Sequence, residues 1–200
     1  MEIFKTINGL SEEILFKEKK SKFFSQVFHV TDEEEIKLIL ENVRKNHPQA
    51  GHVCYAYRIQ PLEPKWRAND DGEPNNSAGM PIFGQIQSYD IYDVLITVTR
   101  YFGGVKLGVG GLISAYKEAA NLALASTSII EKTIEINYTL SFNYDQMNKV
   151  MRIIKEKNIQ IINQNLTENC EIMVSISIKY KEQFSDWFEN IFPKIKIVVL

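Results

Sequence analysis

The chain has 200 residues, which is enough for one large domain or two small ones. Its 44% hydrophobic and 24% charged residues are typical of a soluble globular protein, and its longest apolar runs are too short to cross a bilayer. The formal net charge of −2 lacks the positive excess typical of nucleic-acid-binding domains, so any contact with RNA must be local.

Two cysteines lie far apart, at positions 54 and 170, so neither a disulfide framework nor a structural zinc site is indicated. The N-terminal segment "MEIFKTINGLSEEILFKEKK" mixes acids and lysines and has no long apolar core, unlike a signal peptide. We therefore expect a cytoplasmic protein with reduced thiols.

Residues 1–132 predict a two-layer α+β domain. Alternating apolar residues predict strands over "KSKFFSQVFHV", "HVCYAYRI" and "YDVLITVTRYF". The segment "TDEEEIKLILENVRKNHP" predicts a helix that begins at Thr31 or Asp32 and ends before Pro48, with an acidic first turn that suits the helix dipole. "LISAYKEAANLALAS" predicts a second helix, and the proline-containing residues 60–82 between the last two strands predict a long loop.

Residues 133–200 predict a ferredoxin-like domain in the order βαββαβ. The strands are predicted over "KTIEINYTLSF", "IQIINQNLT", "ENCEIMVSISIKY" and "KIKIVVL". Helices are predicted over "NYDQMNKVMRIIKEKN", which ends near Asn158, and over "KEQFSDWFENIF", which ends before Pro193.

Five glycines between Gly103 and Gly111 separate the last strand of the first domain from its helix. A strand, a glycine-rich turn and a helix N-terminus form a common phosphate-binding layout. The P-loop pattern would require Lys at Val109 and Ser or Thr at Gly110, and the dinucleotide pattern would require glycine at Ile113, so neither is matched. The glycines can let two backbones approach closely or form a surface for an anion or a partner, and both interpretations stay open.

Three carboxylates lie within four residues in "NDDGEP", inside the predicted loop. Their spacing does not match a calcium loop, and we expect no bound metal and no cofactor. The alternatives are a magnesium or calcium site, a polar turn in which Gly72 adopts a positive φ, and an ion pair with Arg100 or Lys106.

The strand "HVCYAYRI" places His52, Cys54 and Arg58 on one face and Tyr57 on the other. Residues two apart on a strand are about 7 Å apart, which is too far for an easy Cys–His nucleophile. Cys54 is therefore predicted to be a small buried residue, and His52 is the histidine expected to titrate near neutral pH.

Four lysines in "KEKKSK" precede two phenylalanines at positions 23 and 24. Lysines close to aromatic residues are typical of sites for single-stranded RNA. Glu18 interrupts the cluster, and an edge strand guarded by lysines explains it equally well.

Four of these stretches together resemble the signature of the YigZ/IMPACT family: "KKSKF", "HVCYAYRI", "DDGEPNNSAGMPI" and "RYFGGVKLGVGGLISAY". The resemblance implies an N-terminal domain of the ribosomal-protein second-domain fold, which elongation factor G and small-molecule kinases share. The C-terminal domain is similar to the small domain of bacterial members and to a ferredoxin-like domain of elongation factor G.

The resemblance also implies a role in translation. Eukaryotic IMPACT regulates translation by competing for a co-activator of an initiation-factor kinase, and bacterial members have been suggested to bind nucleic acid or the ribosome. The implied function is a non-catalytic regulatory protein that binds ribosome, RNA or a translation factor. The alternative is an enzyme that acts on a phosphorylated or nucleotide ligand at an acidic, glycine-rich cleft.

The positions that match the family predict one surface, in which acids of the loop face an arginine and amides of the glycine turn face a ligand. No catalytic residue is predicted. The predicted ligand or partner surface comprises His52, Tyr57, Arg58, Asp70, Asp71, Gly72, Glu73, Pro74, Ser77, Ala78, Gly79, Arg100, Tyr101, Gly103, Gly104, Lys106, Gly108, Gly110 and Gly111.

Overall fold

The computed structural model describes residues 2–199, which form two compact units. One unit spans residues 4–132, and the other comprises residues 133–199 with residues 2 and 3. The predicted α+β fold of two domains is confirmed. The elements up to residue 133 are β1 (Ile3–Ile7), β2 (Ile14–Glu18), β3 (Ser21–His29), α1 (Glu33–Asn46), β4 (His52–Ile59), β5 (Lys65–Asn69), α2 (Gly79–Tyr89), β6 (Val94–Tyr101), α3 (Gly108–Ala125) and β7 (Ile129–Thr133).

The first unit is built on a five-stranded antiparallel sheet of order β2-β3-β6-β4-β5. Successive side chains of a strand point to opposite faces. On the central strand β6, Ile96 and Val98 therefore pack against α2 and α3, while Leu95 packs on the other face with Ile36 of α1. Helices thus cover both faces, and α1 adds a layer to the two that were predicted. β1 and β7 pair in a separate two-stranded sheet.

Helix α1 begins as its sequence predicts. The Oδ1 atom of Asp32 accepts hydrogen bonds from the backbone N–H groups of Glu34 at 2.9 Å and Glu35 at 2.8 Å. These bonds satisfy two of the amides that a helix N-terminus leaves without a partner. The residue that begins the helix is therefore Asp32 rather than Thr31.

The predicted long loop over residues 60–82 is wrong in part, because it contains β5 and the first turn of α2. β5 is a short edge strand whose Trp66 is 53% exposed, so it carries little apolar alternation. The sequence of α2 contains two glycines and Pro81, which mask its helical pattern. Pro81 lies in the first turn, where its missing N–H removes no helical hydrogen bond.

The second unit is a four-stranded antiparallel sheet of order β11-β8-β10-β9, as in a ferredoxin-like fold. The second predicted helix is wrong: residues Asp186–Ile191 form 3₁₀ turns. Phe188 and Ile191, which the helical pattern placed on the apolar face, are still buried. Leu200, in the last predicted strand, lies outside the described residues. The elements are β8 (Glu135–Asn143), α4 (Met147–Glu156), β9 (Gln160–Asn165), β10 (Asn169–Ser177) and β11 (Ile195–Val199).

Between residues 2 and 199, no helix is long and apolar enough to cross a membrane.

Candidate functional site

The candidate site lies in the first unit, where two segments meet at one end of the sheet. The acidic loop (residues 70–77) follows β5, and the glycine turn (residues 102–107) follows β6. His52 on β4 is the register partner of Arg100 on β6, so the sheet itself places these two side chains side by side.

An ion pair between Glu73 and Arg100 joins the acidic loop to the sheet. The Nη1 atom of Arg100 donates to Oε1 of Glu73 at 2.6 Å, and both side chains are almost completely buried. A buried charge is stable only when it is paired and hydrogen-bonded, and the hydroxyl of Tyr116 donates a further bond to the same oxygen at 2.8 Å. Of the ion pairs that the sequence left open for Arg100, the structure contains the one with Glu73.

The guanidinium group of Arg100 also contacts aromatic rings. Its carbon atom Cζ lies 5.6 Å from the ring centres of Phe23 and Phe102, within the range of cation–π attraction. Its Nη2 donates to the hydroxyl of Ser21 at 3.3 Å. Within residues 2–199, Nε has no hydrogen-bond partner. Arg100 therefore connects the acidic loop, β3 and the glycine turn.

Cys54 and Tyr116 extend this network into the core. The thiol of Cys54 lies 3.0 Å from the carbonyl oxygen of Asp70 and 3.3 Å from the hydroxyl of Tyr116. Burial raises the pKa of the Cys54 thiol far above its usual value; the hydrogen bond with Tyr116 opposes this shift, and the neighbouring acids add to it. Burial, and then Cys54 and Glu73, raise the pKa of Tyr116 as well. Because the thiolate is the reactive form, Cys54 is a buried structural residue at neutral pH, as predicted.

Asp70 closes the N-terminus of α2. Its Oδ1 accepts from the backbone N–H groups of Ala78 at 2.9 Å and Gly79 at 2.8 Å, and its Oδ2 accepts from that of Asn76 at 2.9 Å. This carboxylate replaces the missing side-chain cap of α2 and suits the helix dipole. A Cβ atom at Gly79 would lie 2.4 Å from the backbone nitrogen of Asn69, so this position requires glycine.

Asp71 ties the acidic loop to β4 and α1. Its Oδ2 accepts from the N–H of Val53 at 2.6 Å, and its Oδ1 accepts from Arg44 at 2.7 Å. His52 is held by the same residue, because its Nδ1 lies 2.8 Å from the carbonyl oxygen of Asp71 and a carbonyl only accepts. Nδ1 therefore carries a proton, and Nε2 lies 3.9 Å from Oε1 of Glu73. Gly72, between the two acids, has a φ of +86°.

The rest of the acidic loop folds on itself. The hydroxyl of Ser77 donates to the carbonyl oxygen of Pro74 at 2.6 Å, and Ala78 is completely buried in the core. The carboxylates of Asp70, Asp71 and Glu73 thus accept hydrogen bonds from backbone N–H groups or from arginines. Among residues 2–199, no group of three or more His, Cys, Asp or Glu side chains is arranged to hold a metal ion.

The glycine turn is shorter than the sequence predicts, because α3 begins at Gly108 and includes Gly110 and Gly111. The prediction of a helix start at Leu112 is wrong, since three glycines in the first turn mask the helical pattern. Packing requires glycine at position 103, because a Cβ atom at Gly103 would lie 2.0 Å from the carbonyl oxygen of Lys20. Gly104 adopts a φ of +85°.

Two residues around the start of α3 differ in exposure. Lys106 is exposed, and Leu107 is buried where α3 begins. In the part of the chain that the structure describes, no side chain caps α3, and a Cβ atom at Gly108 or Gly110 would meet nothing within 4 Å. The amides of the first turn therefore lie at an open surface.

Three predicted site residues lie elsewhere. Arg58 is on the same face as His52 but six residues along β4, about 20 Å away, where it pairs with Asp90. Tyr57 faces the α1 side of the sheet and donates to Glu33. Tyr101 also points away from Arg100, because neighbouring residues on a strand alternate in direction. The single predicted surface is therefore divided between the two faces and the two ends of the sheet.

Sequence reasoning missed Tyr116, Ser21 and Arg44, which complete the contacts of the acids and of Arg100. Tyr116 left a signal, because it is a hydroxyl-bearing residue in the buried, alanine-rich stripe of α3. Arg44 left none, and Ser21 left only its place in the signature stretch "KKSKF", because their partners are 27 and 79 residues away in the chain.

The fold and the site define a two-domain α+β protein in which an acidic loop and a glycine turn are joined by a buried arginine. The sequence profile of the Impact N-terminal domain matches residues 19–124. The chain belongs to the IMPACT family.

The chain is also similar to a curated protein and to two solved structures. The IMPACT family member YvyE of Bacillus subtilis (strain 168) is 31% identical over 173 residues, which cover 86% of this chain and 80% of YvyE. A solved crystal structure of a hypothetical protein is 27% identical, with a TM-score of 0.77, and the match covers 100% of this chain and 98% of that one. The solved two-domain translational regulator Yih1 is 28% identical over 57% of this chain and 46% of its own, with a TM-score of 0.36.

Proposed function

We propose that this chain is a non-catalytic, translation-associated protein of the cytoplasm that binds the ribosome, RNA or a translation factor. Residues 1–132 would act as the IMPACT-type binding domain and residues 133–200 as a ferredoxin-like domain similar to one of elongation factor G. Membership of the IMPACT family supports the link to translation.

The engagement of the acids supports binding rather than catalysis. Asp70 accepts hydrogen bonds from three backbone N–H groups, and Asp71 accepts one from a backbone N–H group and one from an arginine. Glu73 accepts hydrogen bonds from an arginine and from a tyrosine hydroxyl. A general acid or base must lie within hydrogen-bond reach of a substrate proton. These carboxylates instead shape the loop and hold it against the sheet.

The observation that carries the proposal is the exposed apolar surface around the glycine turn. Phe102 is 56% exposed and Val109 is 53% exposed, and Val105 and Ile113 are also exposed. Val109 and Ile113 are four residues apart on α3 and so share a face of the helix. Grouped apolar residues on a soluble domain are typical of a surface that binds another macromolecule.

Co-sedimentation with ribosomes through sucrose at low salt tests the proposal, with pull-down of translation factors as its second arm. The double variant Val109→Ser/Ile113→Ser should bind at least about tenfold more weakly, because the centre of an interface carries most of its energy. The matched control Leu38→Ser/Ile162→Ser alters two other exposed apolar residues and should bind like the wild type.

Two results would count against this function. A wild-type protein that stays in the supernatant at low salt and captures no translation factor would remove its support. The uncapped N-terminus of α3 motivates a second measurement, a thermal-shift screen of nucleotides with Mg²⁺. A concentration-dependent stabilisation in that screen would favour the alternative, an enzyme acting on a phosphorylated ligand.

A further inference from the structure

We propose that a groove on the α1 face of the sheet binds single-stranded RNA. This aromatic groove has a volume of about 340 Å³ and is lined by Lys20, Lys22, Phe24, Tyr101 and Phe102. It adjoins the glycine turn, so the inference rests on the proposed function and names the chemistry of one partner.

The family signature residues build this groove. The β2–β3 hairpin ends at Lys19 and Lys20, and the absence of a side chain at Gly103 lets the carbonyl of Lys20 pack against the glycine turn. The hydroxyl of Ser21 accepts bonds from the N–H of Gly103 at 3.4 Å and from Arg100 at 3.3 Å. The hairpin tip is therefore fixed beside Phe102.

The lysines are not explained by protection of a sheet edge. β2 is the edge strand, but Lys22 lies on the interior strand β3 and Lys20 lies in the turn. Edge protection accounts for Lys17 alone, because charges on an edge strand prevent pairing with another chain. Lys20 and Lys22 therefore require a different explanation.

The arrangement of the lysines has a cost in the free protein. Lys17 is the register partner of Lys22, so two like charges face each other across the strands. Lys19 and Lys20 have φ values of 42° and 68°, in a turn where Asn-Gly is the favoured pair. Within residues 2–199, none of the four lysines forms an ion pair. A row of phosphates would neutralise these charges.

The aromatic residues supply stacking surfaces next to the lysines. The ring of Phe102 is 56% exposed, and the rings of Phe24 and Tyr101 lie 5.6 Å apart and are partly exposed. His47 lies beside these rings and contacts the Tyr101 hydroxyl at 3.0 Å, and its other ring nitrogen lies 2.8 Å from the carboxylate of Glu13. Unpaired bases stack on such rings while lysines bind the backbone, whereas bases in a duplex are not accessible for stacking.

Fluorescence anisotropy with a labelled oligouridylate of about 12 nucleotides tests the groove. Phe102→Ala should weaken binding about tenfold, because it removes one stacked base. Lys20→Ala/Lys22→Ala should weaken binding and reduce the slope of log K against log salt by about 1.4, which corresponds to two lost phosphate contacts. The controls Tyr144→Ala and Lys149→Ala/Lys155→Ala remove an exposed aromatic and two exposed lysines of the other unit and should bind normally.

Each outcome separates this inference from the function above. No binding of the oligonucleotide by the wild type at low salt, or equal binding by wild type and Phe102→Ala, overturns the groove. Equal affinity for an RNA duplex of the same length also overturns it. Ribosome sedimentation without oligonucleotide binding leaves the proposed function standing with another surface, and oligonucleotide binding without sedimentation supports the groove alone. Thermal unfolding of each variant confirms that its fold is intact.

Discussion

The two faces of the central sheet differ sharply at the end of β6. On the α2–α3 face, Arg100 is buried and bonded to Glu73, and the hydroxyl of Tyr116 donates to the same carboxylate. On the α1 face, the neighbouring Tyr101 is partly accessible beside lysines that form no ion pairs within residues 2–199. The exposed ring of Phe102 lines the same groove and also contacts Arg100. Consecutive residues of one strand thus stabilise the fold on one side and form a binding surface on the other.

The difference explains why the acidic and glycine-rich segments look like a single site in the sequence. The acids hold the loop and the start of α2 in place, and the arginine holds the hairpin and the glycine turn. The polar network is therefore the support of the surface rather than the surface itself. Changes on the buried face should alter stability first, and changes on the open face should alter binding alone.

The largest expected effect comes from breaking the buried ion pair. Arg100→Ala leaves the carboxylate of Glu73 buried without its positive partner, which should lower the free energy of unfolding by about 3–5 kcal/mol. Chemical denaturation followed by circular dichroism measures the loss. Since both changes act on one pair, the double variant Arg100→Met/Glu73→Gln should lose less free energy of unfolding than the sum of the losses of Arg100→Met and Glu73→Gln. Additive losses would show that the two side chains are not coupled.

Two glycines provide a comparison of intermediate size. Gly103→Ala places a Cβ atom where the carbonyl of Lys20 lies, so we expect a loss of about 1–3 kcal/mol together with weaker RNA binding. Gly110→Ala adds a methyl group in open space on a helix and should raise stability by up to about 1 kcal/mol. Thermal and chemical unfolding of the two variants measure whether the first change lowers stability and the second raises it. Equal tolerance of alanine at the two positions would contradict the packing of the hairpin tip.

The smallest effect concerns pH and the α1 face. Burial and the hydrogen bond to Glu33 raise the pKa of Tyr57 to about 12, so the folded state holds this proton more tightly than the unfolded chain. Its stabilising contribution is complete below about pH 10 and is lost as the pH rises to about 12. Between pH 9 and 11, the free energy of unfolding of Tyr57→Phe should therefore fall by about 1 kcal/mol less than that of the wild type. Chemical denaturation at a series of pH values measures this difference. If the free energies of unfolding of the two proteins fall in parallel as the pH rises, Tyr57 makes no such contribution.

The elements that the sequence predicts are those with strong local patterns. The strands at "KSKFFSQVFHV" and "HVCYAYRI" alternate clearly, and α1 carries its own cap at Asp32. β5 and α2 were missed because their determinants are not local. β5 is an exposed edge, and α2 is capped by Asp70, which lies 9 residues before Gly79 in the chain.

The same reasoning applies to the candidate site. Its acids are visible in the sequence because three carboxylates lie within four residues, and Arg100 is visible because it is a charged residue near the end of an apolar strand. Their partners are less visible: Tyr116 is a helix residue 43 positions from Glu73, and Ser21 is 79 positions from Arg100. Tyr57, Arg58 and Tyr101 are predicted to join them because they match the family signature. Strand alternation and strand length instead place them on the other face or at the other end of the sheet.

The contact between Lys20 and Gly103 spans most of the first domain, so the aromatic groove exists only when β3 and β6 are paired. A shorter piece of this domain that lacks either strand has no groove. An occupant of the groove would bind the folded state and not the unfolded chain, and by mass action it would raise the unfolding temperature in proportion to the logarithm of its concentration. The midpoint of thermal unfolding is thus an assay of binding that needs no label on the RNA.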